Sequence, residues 1–344
     1  MIGRKQKYRL VLIAIILGIS AIMCRVCLPH KYYLSVAAIM KNEKPYLKEW
    51  IEYHRLQGVS HFYLCDNDST DGTKDYLKPY IKKGIITYIP MSGADKQLAC
   101  YDYIVRRHQK ETTWLALIDL DEFLVPMKAK NMIQFLKEFD DVAQVSLYWM
   151  NYGDNQAFTR QQSLVTEFFT AHGKSLNHTV KSIVRPEKVI DFNDKWSNHW
   201  VKVDGKSVNE YHQPVSYMLG FNISGDKARI NHYIIKSFAE FIYKKSRGHP
   251  DRSKVDWSYY FFHNENEVKN DTSMLRFLPD LKKMMAKSPL SDMPLPQIEG
   301  LPNGFNEFYF SPEEVKDILG VDTDAATSYE ELNHRYTHRH PKYN

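Results

Sequence analysis

Short apolar runs alternate with amphipathic segments between residues 32 and 120. The runs are YYLSVAAIM, SHFYLCDND, IITYIPM and WLALIDL, and the segments between them include KPYLKEWIEYHRLQG and ADKQLACYDYIVRRHQ. The runs resemble buried strands, whereas the segments carry apolar side chains at helical spacing, and Gly58 is a stop signal for the first. Strands that alternate with helices form a mostly parallel sheet with helices on both faces. The sequence therefore predicts an α/β fold with a Rossmann-like sheet.

The alternation weakens after Pro126. NMIQFLKEF predicts a short helix and VAQVSLYWMNYG a strand, and strands and loops then continue to residue 233. A helical pattern resumes at Ile234, and a last helix is predicted to start at Ser311. We expect a first domain at residues 31–248, divided into halves at 31–126 and 127–248. A helical C-terminal extension is expected at 249–344.

The N-terminal segment is unlike the rest of the chain. Residues 10–24 are almost wholly apolar and follow a basic stretch, and continuation to residue 28 gives about 19 residues, enough to cross a bilayer. Arg25 interrupts the segment where its side chain could reach the interface. We predict a single-pass membrane anchor within residues 1–30. A secretory signal peptide is the alternative, although no clear cleavage site follows. Basic residues flank both ends, so the side of the membrane stays open.

Composition narrows the possible partners. The chain is 43% apolar and 25% charged, which is ordinary for a globular protein. Its net charge of +5 is small and its basic residues are scattered, so nucleic acid is not an expected partner. Cys24 and Cys27 lie in the apolar segment, which leaves Cys65 and Cys100 for the rest of the chain. Two cysteines do not form a disulfide framework.

Acidic and amide side chains follow three of the predicted strands. Asn42 and Glu43 come after the first strand, Asp66 and Asp68 end the second, and the acids Asp119, Asp121 and Glu122 end the fourth. The carboxyl ends of parallel strands meet at one edge of a sheet, where ligands bind. Carboxylates this close repel one another unless a cation or a strong set of donors lies among them. We therefore expect a positive group at this edge.

The motifs AIMKNEKPYLKEWIEYHRLQGVSHFYLCDNDSTDGT, IDLDEFL, KSIVRP and INHYIIKSFAEFIYKKSRG, in this order, resemble the GT-A-fold glycosyltransferases. The resemblance is strongest to family 92 and to its bacterial relatives with a family-2-like N-terminal half, and it covers about residues 35–248. It implies a single α/β domain that transfers a sugar from a nucleotide diphosphate donor, usually with Mn²⁺ or Mg²⁺. It also implies that residues 31–126 are the nucleotide-binding half of this domain and residues 127–248 the acceptor half.

The resemblance assigns a metal site to the acidic edge. Two carboxylates one residue apart, Asp119 and Asp121, can hold a hard divalent cation that also binds diphosphate oxygens. His232, in INHY, resembles the late histidine that completes the metal shell in many GT-A enzymes, and His199 is the substitute. Exposed loop acids and a buried core histidine are the structural alternatives.

The donor residues are assigned in the same way. Asp66 and Asp68, in DNDSTDGT, resemble the loop that reads uridine, although an Asx turn with Ser69 or Thr70 as a helix cap explains the loop as well. Further donor-site candidates are Asn42 and Glu43 in the family's KNE motif, Gln97 and Tyr101 on the third helix, and Lys181 and Arg185 in KSIVRP. A plain helix face is the alternative for Gln97 and Tyr101, and surface charge beside a strand for Lys181 and Arg185.

Glycosylation sequons begin at Asn67, Asn177, Asn222 and Asn270. The first falls inside the expected donor pocket, where a glycan would block binding. This position argues against a compartment in which proteins are glycosylated.

Inversion at the sugar carbon needs a carboxylate that deprotonates the acceptor hydroxyl. Several acids follow the metal motif, and we predict Asp154 because it follows the strand VSLYWMNYG, where the acceptor face should begin. The other available acids are Glu167, Asp191, Asp194, Asp204 and Asp226.

The sequence thus predicts a membrane-anchored, metal-dependent, inverting glycosyltransferase that uses a UDP-sugar, with galactose as the expected sugar and a glycan or glycolipid as acceptor. The alternative is a membrane-anchored sugar- or nucleotide-binding protein of the same fold without turnover. A haloacid-dehalogenase-like phosphatase is disfavoured because its D-x-D motif normally opens the domain, whereas here it closes the fourth strand. A dinucleotide-binding dehydrogenase would need G-x-G-x-x-G after the first strand, and AAIMKNE contains no glycine.

Overall fold

The computed structural model describes residues 30–160, 162–247, 257–292 and 307–339. The apolar segment predicted as a membrane anchor lies outside these ranges. Within them, no helix combines the length and apolar character that a membrane crossing requires.

The first half of the fold follows the predicted alternation. Its strands are β1 (Tyr32–Met40), β2 (His61–Asp66), β3 (Ile86–Pro90) and β4 (Thr112–Leu117), and its helices are α1 (Lys44–Leu56), α2 (Thr73–Lys82) and α3 (Gln97–His108). β1 lies between β2 and β4 and is parallel to both, and β3 is parallel to β2. Gly58, with φ of +96°, follows α1 at the predicted stop. The α/β class is therefore confirmed.

The second half of the sheet is mixed rather than parallel. Its strands are β5 (Glu122–Pro126), β6 (Gln144–Asn151), β7 (Val180–Val184), β10 (Ser207–Val208) and β11 (Ala228–His232). The order across the sheet is β3-β2-β1-β4-β7-β6-β11-β5, with β10 paired to β6. β7 is antiparallel to both β4 and β6, and β11 is parallel to β6 but antiparallel to β5. The prediction of a mostly parallel sheet therefore describes only the first half well.

The remaining elements are short or lie towards the C-terminus. Two small sheets pair β8 (Val189–Asp191) with β9 (Lys202–Val203) and β12 (Tyr309–Phe310) with β13 (Thr327–Ser328). The further helices are α4 (Met132–Leu136), α5 (Val165–Phe168), α6 (Phe238–Arg247), α7 (Trp257–His263), α8 (Leu278–Lys287), α9 (Pro312–Leu319) and α10 (Tyr329–Arg339), with 3-10 turns at Pro186–Lys188 and Leu275–Phe277.

The sheet is covered on both faces because alternate side chains of a strand point in opposite directions. Val36 and Ala38 of β1 join an apolar cluster with Trp50 of α1, whereas Ala37 of β1 joins a second cluster with Ile104 of α3. The second cluster also contains Cys65 of β2 and Cys100 of α3, which form a disulfide. The sequence excluded a disulfide framework but did not predict this one bridge.

A third apolar cluster joins α6 to the C-terminal helices. Phe238 and Phe241 of α6 pack with Tyr260 of α7, Val315 of α9 and Leu332 of α10. The helix predicted to start at Ser311 is present as α9 and begins with a capping box, but it is not the last helix, because α10 follows it. The Ser311 hydroxyl accepts from the backbone N–H of Glu314 at 3.2 Å, and the Glu314 carboxylate accepts from the N–H of Ser311 at 3.0 Å. The C-terminal helices therefore support α6.

Candidate functional site

Three acidic side chains lie where β4 turns into β5. The Glu122 N–H donates to the carbonyl oxygen of Asp119 at 3.2 Å, and the Asp119 N–H donates to Oε2 of Glu122 at 2.9 Å. The Asp119 side chain is 31% exposed and that of Asp121 is 11% exposed, whereas Glu122 is fully buried. The buried strand β4 thus carries the acids to the edge of the sheet.

Lys181 of β7 neutralises one side of this group. Its Nζ atom lies 2.7 Å from Oδ2 of Asp119 and 3.6 Å from Oε1 of Glu122, and its side chain is fully buried. Burial acts to lower the pKa of Lys181, but the two carboxylates outweigh it and raise the pKa. Burial also raises the pKa of Glu122 well above its usual range. For Asp119, burial is outweighed by Lys181, which lowers the pKa. Asp119 is therefore the ionised partner of Lys181.

Helix α3 presents two polar side chains to the same acid. Nε2 of Gln97 donates to Oδ1 of Asp119 at 2.6 Å, and the Tyr101 hydroxyl lies 3.5 Å from that oxygen. Nδ2 of Asn198 in turn donates to Oε1 of Gln97 at 3.1 Å. The structure therefore places Gln97 and Tyr101 at the acidic edge rather than on a plain helix face.

Asp121 is held by groups from the second half of the chain. Nζ of Lys244 on α6 lies 2.8 Å from Oδ2 of Asp121, and Nε2 of His232 lies 3.5 Å from Oδ1. Burial acts to raise the pKa of Asp121, but Lys244 and His232 outweigh it and hold the pKa well below its usual range. Burial lowers the pKa of His232, which favours the neutral imidazole. The structure thus brings His232 beside the second acid of the motif.

The predicted metal site is only partly assembled. Among the residues that the structure describes, no group of three or more histidine, cysteine, aspartate or glutamate side chains is arranged to hold a metal ion. Asp121 and His232 are nonetheless adjacent, whereas the oxygens of Asp119 face Lys181 and Gln97. A Mg²⁺-type ion often takes one or two protein carboxylates and completes its shell with water and substrate phosphates. Asp121 and His232 fit such a partial shell.

The substitute ligand His199 lies elsewhere in the site. Its ring centroid is 5.2 Å from that of Trp149, and burial lowers its pKa to about 3. The ring of His232 also packs against Trp149, with a centroid distance of 4.3 Å. His199 therefore lies beside the acidic edge and shares Trp149 as a neighbour with His232.

The loop after β2 is internally bonded. Asp66 accepts from the Tyr88 hydroxyl and, at 2.9 Å, from the backbone N–H of Ser69. Asp68, with φ of +57°, accepts from the N–H of Gly93 at 3.0 Å. Neither backbone bond is an Asx turn, and the Asx turn expected from the sequence is formed instead by Asp71, which accepts from an N–H two residues on. The expected cap at Ser69 or Thr70 is wrong, because Oδ1 of Asp71 accepts from the N–H of Thr73 at 3.0 Å, in the first turn of α2.

The ends of β1 and β2 are tied together. Asn42, with φ of +53°, accepts from the N–H of Thr70 at 2.7 Å and donates its own N–H to Oγ of Ser69 at 2.9 Å. Glu43 is buried at the start of α1. The amide nitrogen of Asn67 donates to carbonyl oxygens of the loop after β3, at 2.8 and 2.7 Å. The side chain of Asn67, which begins the first glycosylation sequon, is therefore buried and hydrogen-bonded.

Arg185 does not lie at the acidic edge, and its assignment there is corrected. It follows β7 four residues after Lys181, a distance of about 13 Å along a strand. Because β7 is antiparallel to β4, Arg185 lies towards the start of β4. Its guanidinium stacks 4.3 Å from the ring centroid of Trp114 and donates to carbonyl oxygens at residues 139, 140 and 142. Arg185 therefore stabilises the opposite end of the sheet.

Asp154 has a structural environment that does not fit a general base. It is 2% exposed, and its Oδ1 accepts from the Gln156 N–H and from Asn266. Its Oδ2 accepts from the Tyr260 hydroxyl and from Asn264. Four donors thus occupy the carboxylate, and three of them belong to the C-terminal extension. Asp154 ties that extension to the end of β6.

Sequence reasoning missed Lys244, Asn198 and Trp149, which lie at this site. Lys244 lies inside the quoted INHYIIKSFAEFIYKKSRG motif, which is the one signal that could have identified it. The other two reach the site through loop and sheet packing that no spacing in the sequence indicates.

Comparison with known proteins places the chain in a family. The model of glycosyltransferase family 92 matches residues 30–285. The chain belongs to glycosyltransferase family 92.

Relatives and solved structures give further matches. The chain is 25% identical over 169 residues to a family 92 protein of Arabidopsis thaliana and 25% identical over 175 residues to one of Ricinus communis. Each match covers 46% of this chain and 29% of the relative, so the chain spans less than a third of these relatives. The crystal structure of S. aureus TarS 1–349 matches 45% of this chain and 47% of that one, with 16% identity and a TM-score of 0.31.

Proposed function

We propose that this protein is a metal-dependent, inverting glycosyltransferase that transfers a sugar from a UDP-sugar to a glycan or glycolipid acceptor. One observation carries the proposal. Asp121, His232 and Lys244 come from three separate segments and meet at the edge of the sheet, where Lys181 pairs with Asp119. Membership of family 92 agrees with this function, as does the resemblance of the sequence motifs to GT-A-fold enzymes.

The acidic edge suits a diphosphate bound with a cation. Each of the two ionised acids already has a lysine partner, and the diphosphate adds further negative charge. Mn²⁺ or Mg²⁺, held by Asp121 and His232 with Asp119 as the further candidate ligand, would neutralise charge on the leaving diphosphate. Lys181 and Lys244 remain as fixed cations beside it.

The first half of the sheet is proposed to hold the nucleotide. Asp66 and Asp68 lie at the end of β2, and Asn42 fixes the neighbouring loop through Ser69 and Thr70. Glu43 starts α1 at the same edge. We assign these four residues to the uridine and ribose of the donor, with Gln97 holding Asp119 in place.

Glu265 replaces Asp154 as our candidate for the general base. Its Oε1 accepts from Nδ2 of Asn151 at 3.1 Å, and Asn151 pairs with His232 between β6 and β11. Glu265 is half-buried and lies between Asn264 and Asn266, the two amides that Asp154 binds. Asp154 thereby positions the loop whose carboxylate contacts Asn151, the strand neighbour of His232.

The test is to incubate the full chain with a panel of UDP-sugars and Mn²⁺ and to measure release of UDP without acceptor. We expect slow hydrolysis of one donor, with UDP-galactose as the first candidate. Donor binding without any hydrolysis or transfer would instead support the sugar- or nucleotide-binding protein.

Membrane attachment by residues 1–30 is also part of the proposal, and its support is the apolar segment at residues 10–28. Deletion of residues 1–28 is expected to release the protein from membranes while UDP binding is retained. Continued sedimentation with lipid would contradict the anchor.

A further inference from the structure

Several buried polar atoms around Trp149 have no hydrogen-bond partner among the residues that the structure describes. They are Nε1 of Trp149, Oδ1 of Asn151, Oδ1 of Asn198 and Nδ1 of His199. Trp149 is 9% exposed and Asn151 is 1% exposed. Buried polar groups are nearly always hydrogen-bonded, so a cluster of exceptions needs an explanation.

Neighbouring carboxylates fix the orientation of the two asparagine amides. Nδ2 of Asn151 donates to the carboxylate of Glu265, which can only accept when ionised, so Oδ1 is the free end of this amide. Asp119 likewise orients Gln97 with Nε2 towards the carboxylate, and Oε1 of Gln97 then accepts from Nδ2 of Asn198. Oδ1 of Asn198 is therefore also a fixed acceptor.

The unpartnered atoms form one group beside the acidic edge. The Trp149 ring lies 5.2 Å from the His199 ring, and Asn198 precedes His199 in the chain. Asn151 is two residues after Trp149 on β6, so both side chains project from the same face. Nζ of Lys181 lies 6.0 Å from the centroid of the Trp149 ring. The group is thus directly next to the proposed diphosphate position.

The chemistry of the group excludes a phosphate and favours a polyol. Two fixed carbonyl acceptors need donors from the ligand, which a phosphate dianion does not offer, whereas the Trp149 N–H needs an acceptor. A sugar hydroxyl can donate and accept at the same time. We propose that Trp149, Asn151, Asn198 and His199 form the subsite for the hexosyl group of the donor, an inference that rests on the proposed function.

The test compares UDP with UDP-hexoses on the full chain. Dissociation constants for UDP and for UDP-galactose, UDP-glucose and UDP-N-acetylglucosamine are measured with Mn²⁺ for the wild type, Trp149→Phe and Asn198→Ala. Trp114→Phe is the matched control, because Trp114 is a buried tryptophan at the other end of the sheet, under Arg185. Thermal unfolding shows whether each variant is folded, and Asn198→Ala, on a half-buried loop residue, serves if Trp149→Phe does not fold.

We expect both variants to bind the preferred UDP-hexose about 2- to 10-fold more weakly, as for a lost hydrogen bond, while UDP affinity stays within about twofold. Trp114→Phe should leave both affinities unchanged. Equal losses for UDP and UDP-hexose, or no loss for either, would overturn the subsite and leave ordered water as the partner of these atoms. Failure of the wild type to bind UDP would instead reject the proposed function.

Discussion

Nζ of Lys244 donates to Oδ2 of Asp121 at 2.8 Å, although the two residues are 123 positions apart in the chain. The same Nζ atom donates to the carbonyl oxygen of Ile234 at 3.0 Å, which fixes its position on α6. Phe238 and Phe241 of α6 pack into the C-terminal apolar cluster. The C-terminal helices therefore help to position Lys244 at the acidic edge, because they pack against α6, which carries this lysine.

Replacing Lys244 by methionine is expected to weaken both folding and donor binding. The change leaves Asp121 buried without its cation, which costs about 3 kcal/mol in the free energy of unfolding. Urea denaturation and UDP binding are the measurements. The control is Lys283→Met on α8, an exposed lysine paired with Asp280, with an expected cost below about 0.5 kcal/mol. Equal effects of the two variants would contradict the role given to Lys244.

The Asp154→Asn variant tests whether the Asp154 carboxylate has a structural or a catalytic role. The new amide nitrogen faces two donors in either orientation, because each oxygen of Asp154 accepts two hydrogen bonds. We therefore expect a loss of about 1–3 kcal/mol in the free energy of unfolding. Residual activity at low temperature should exceed that of a base variant. A protein with wild-type stability whose kcat has fallen more than about 100-fold would restore Asp154 as the base.

Glu265→Gln is expected to lower kcat for transfer by about 100-fold or more, because the acceptor hydroxyl would lose its base. UDP affinity should not change, since the carboxylate is not assigned to the donor. Glu267→Gln, two residues away at an exposed position, is the matched control. Wild-type kcat in the Glu265 variant would exclude this carboxylate.

His54 makes folding sensitive to acid. Its Nδ1–H donates to the carbonyl oxygen of Trp50 at 2.8 Å, and its Nε2 accepts from the N–H of Leu124 at 3.3 Å, so the neutral ring is required. Burial lowers its pKa from 6.5 to about 3. Below pH 6.5 the unfolded chain takes up the proton first, so His54 should lower the free energy of unfolding by about 1.4 kcal/mol per pH unit towards pH 3. His199, whose pKa burial also lowers to about 3, should add to this slope.

Urea denaturation across this pH range measures the slope. His54→Gln should remove this contribution and make the slope less steep, whereas His338→Gln, on an exposed residue of α10, should leave the slope unchanged. An unaltered slope in the His54 variant would show that another group carries the acid sensitivity.

The first half of the fold and the position of the acids could be predicted because the information is local. An apolar run that ends in Asp119 and Asp121 indicates both a buried strand and the charge at its end. The order of the strands β7, β6 and β11 is not local, since it depends on pairings between distant segments. The mixed sheet and the Lys244 contact therefore lay beyond sequence reasoning.

The errors have the same cause. Lys181 and Arg185 are only four residues apart in sequence, but the extended strand β7 separates them towards opposite ends of the sheet. Asp154 follows the correct strand, yet its partners Asn264 and Asn266 arrive more than 100 residues later. The prediction placed these residues at the site because they lie close to its motifs in the sequence. Their actual contacts are set by tertiary packing against distant segments.

The central claim is that the acidic edge binds the diphosphate of a nucleotide together with a divalent cation. Calorimetry of UDP binding to the full chain, with and without Mn²⁺, tests it most directly when Asp121→Asn is measured in parallel. We predict that Mn²⁺ tightens UDP binding by about tenfold or more in the wild type and that the variant loses this increment. UDP affinity that is the same with and without Mn²⁺ or Mg²⁺, in both proteins, would contradict the claim.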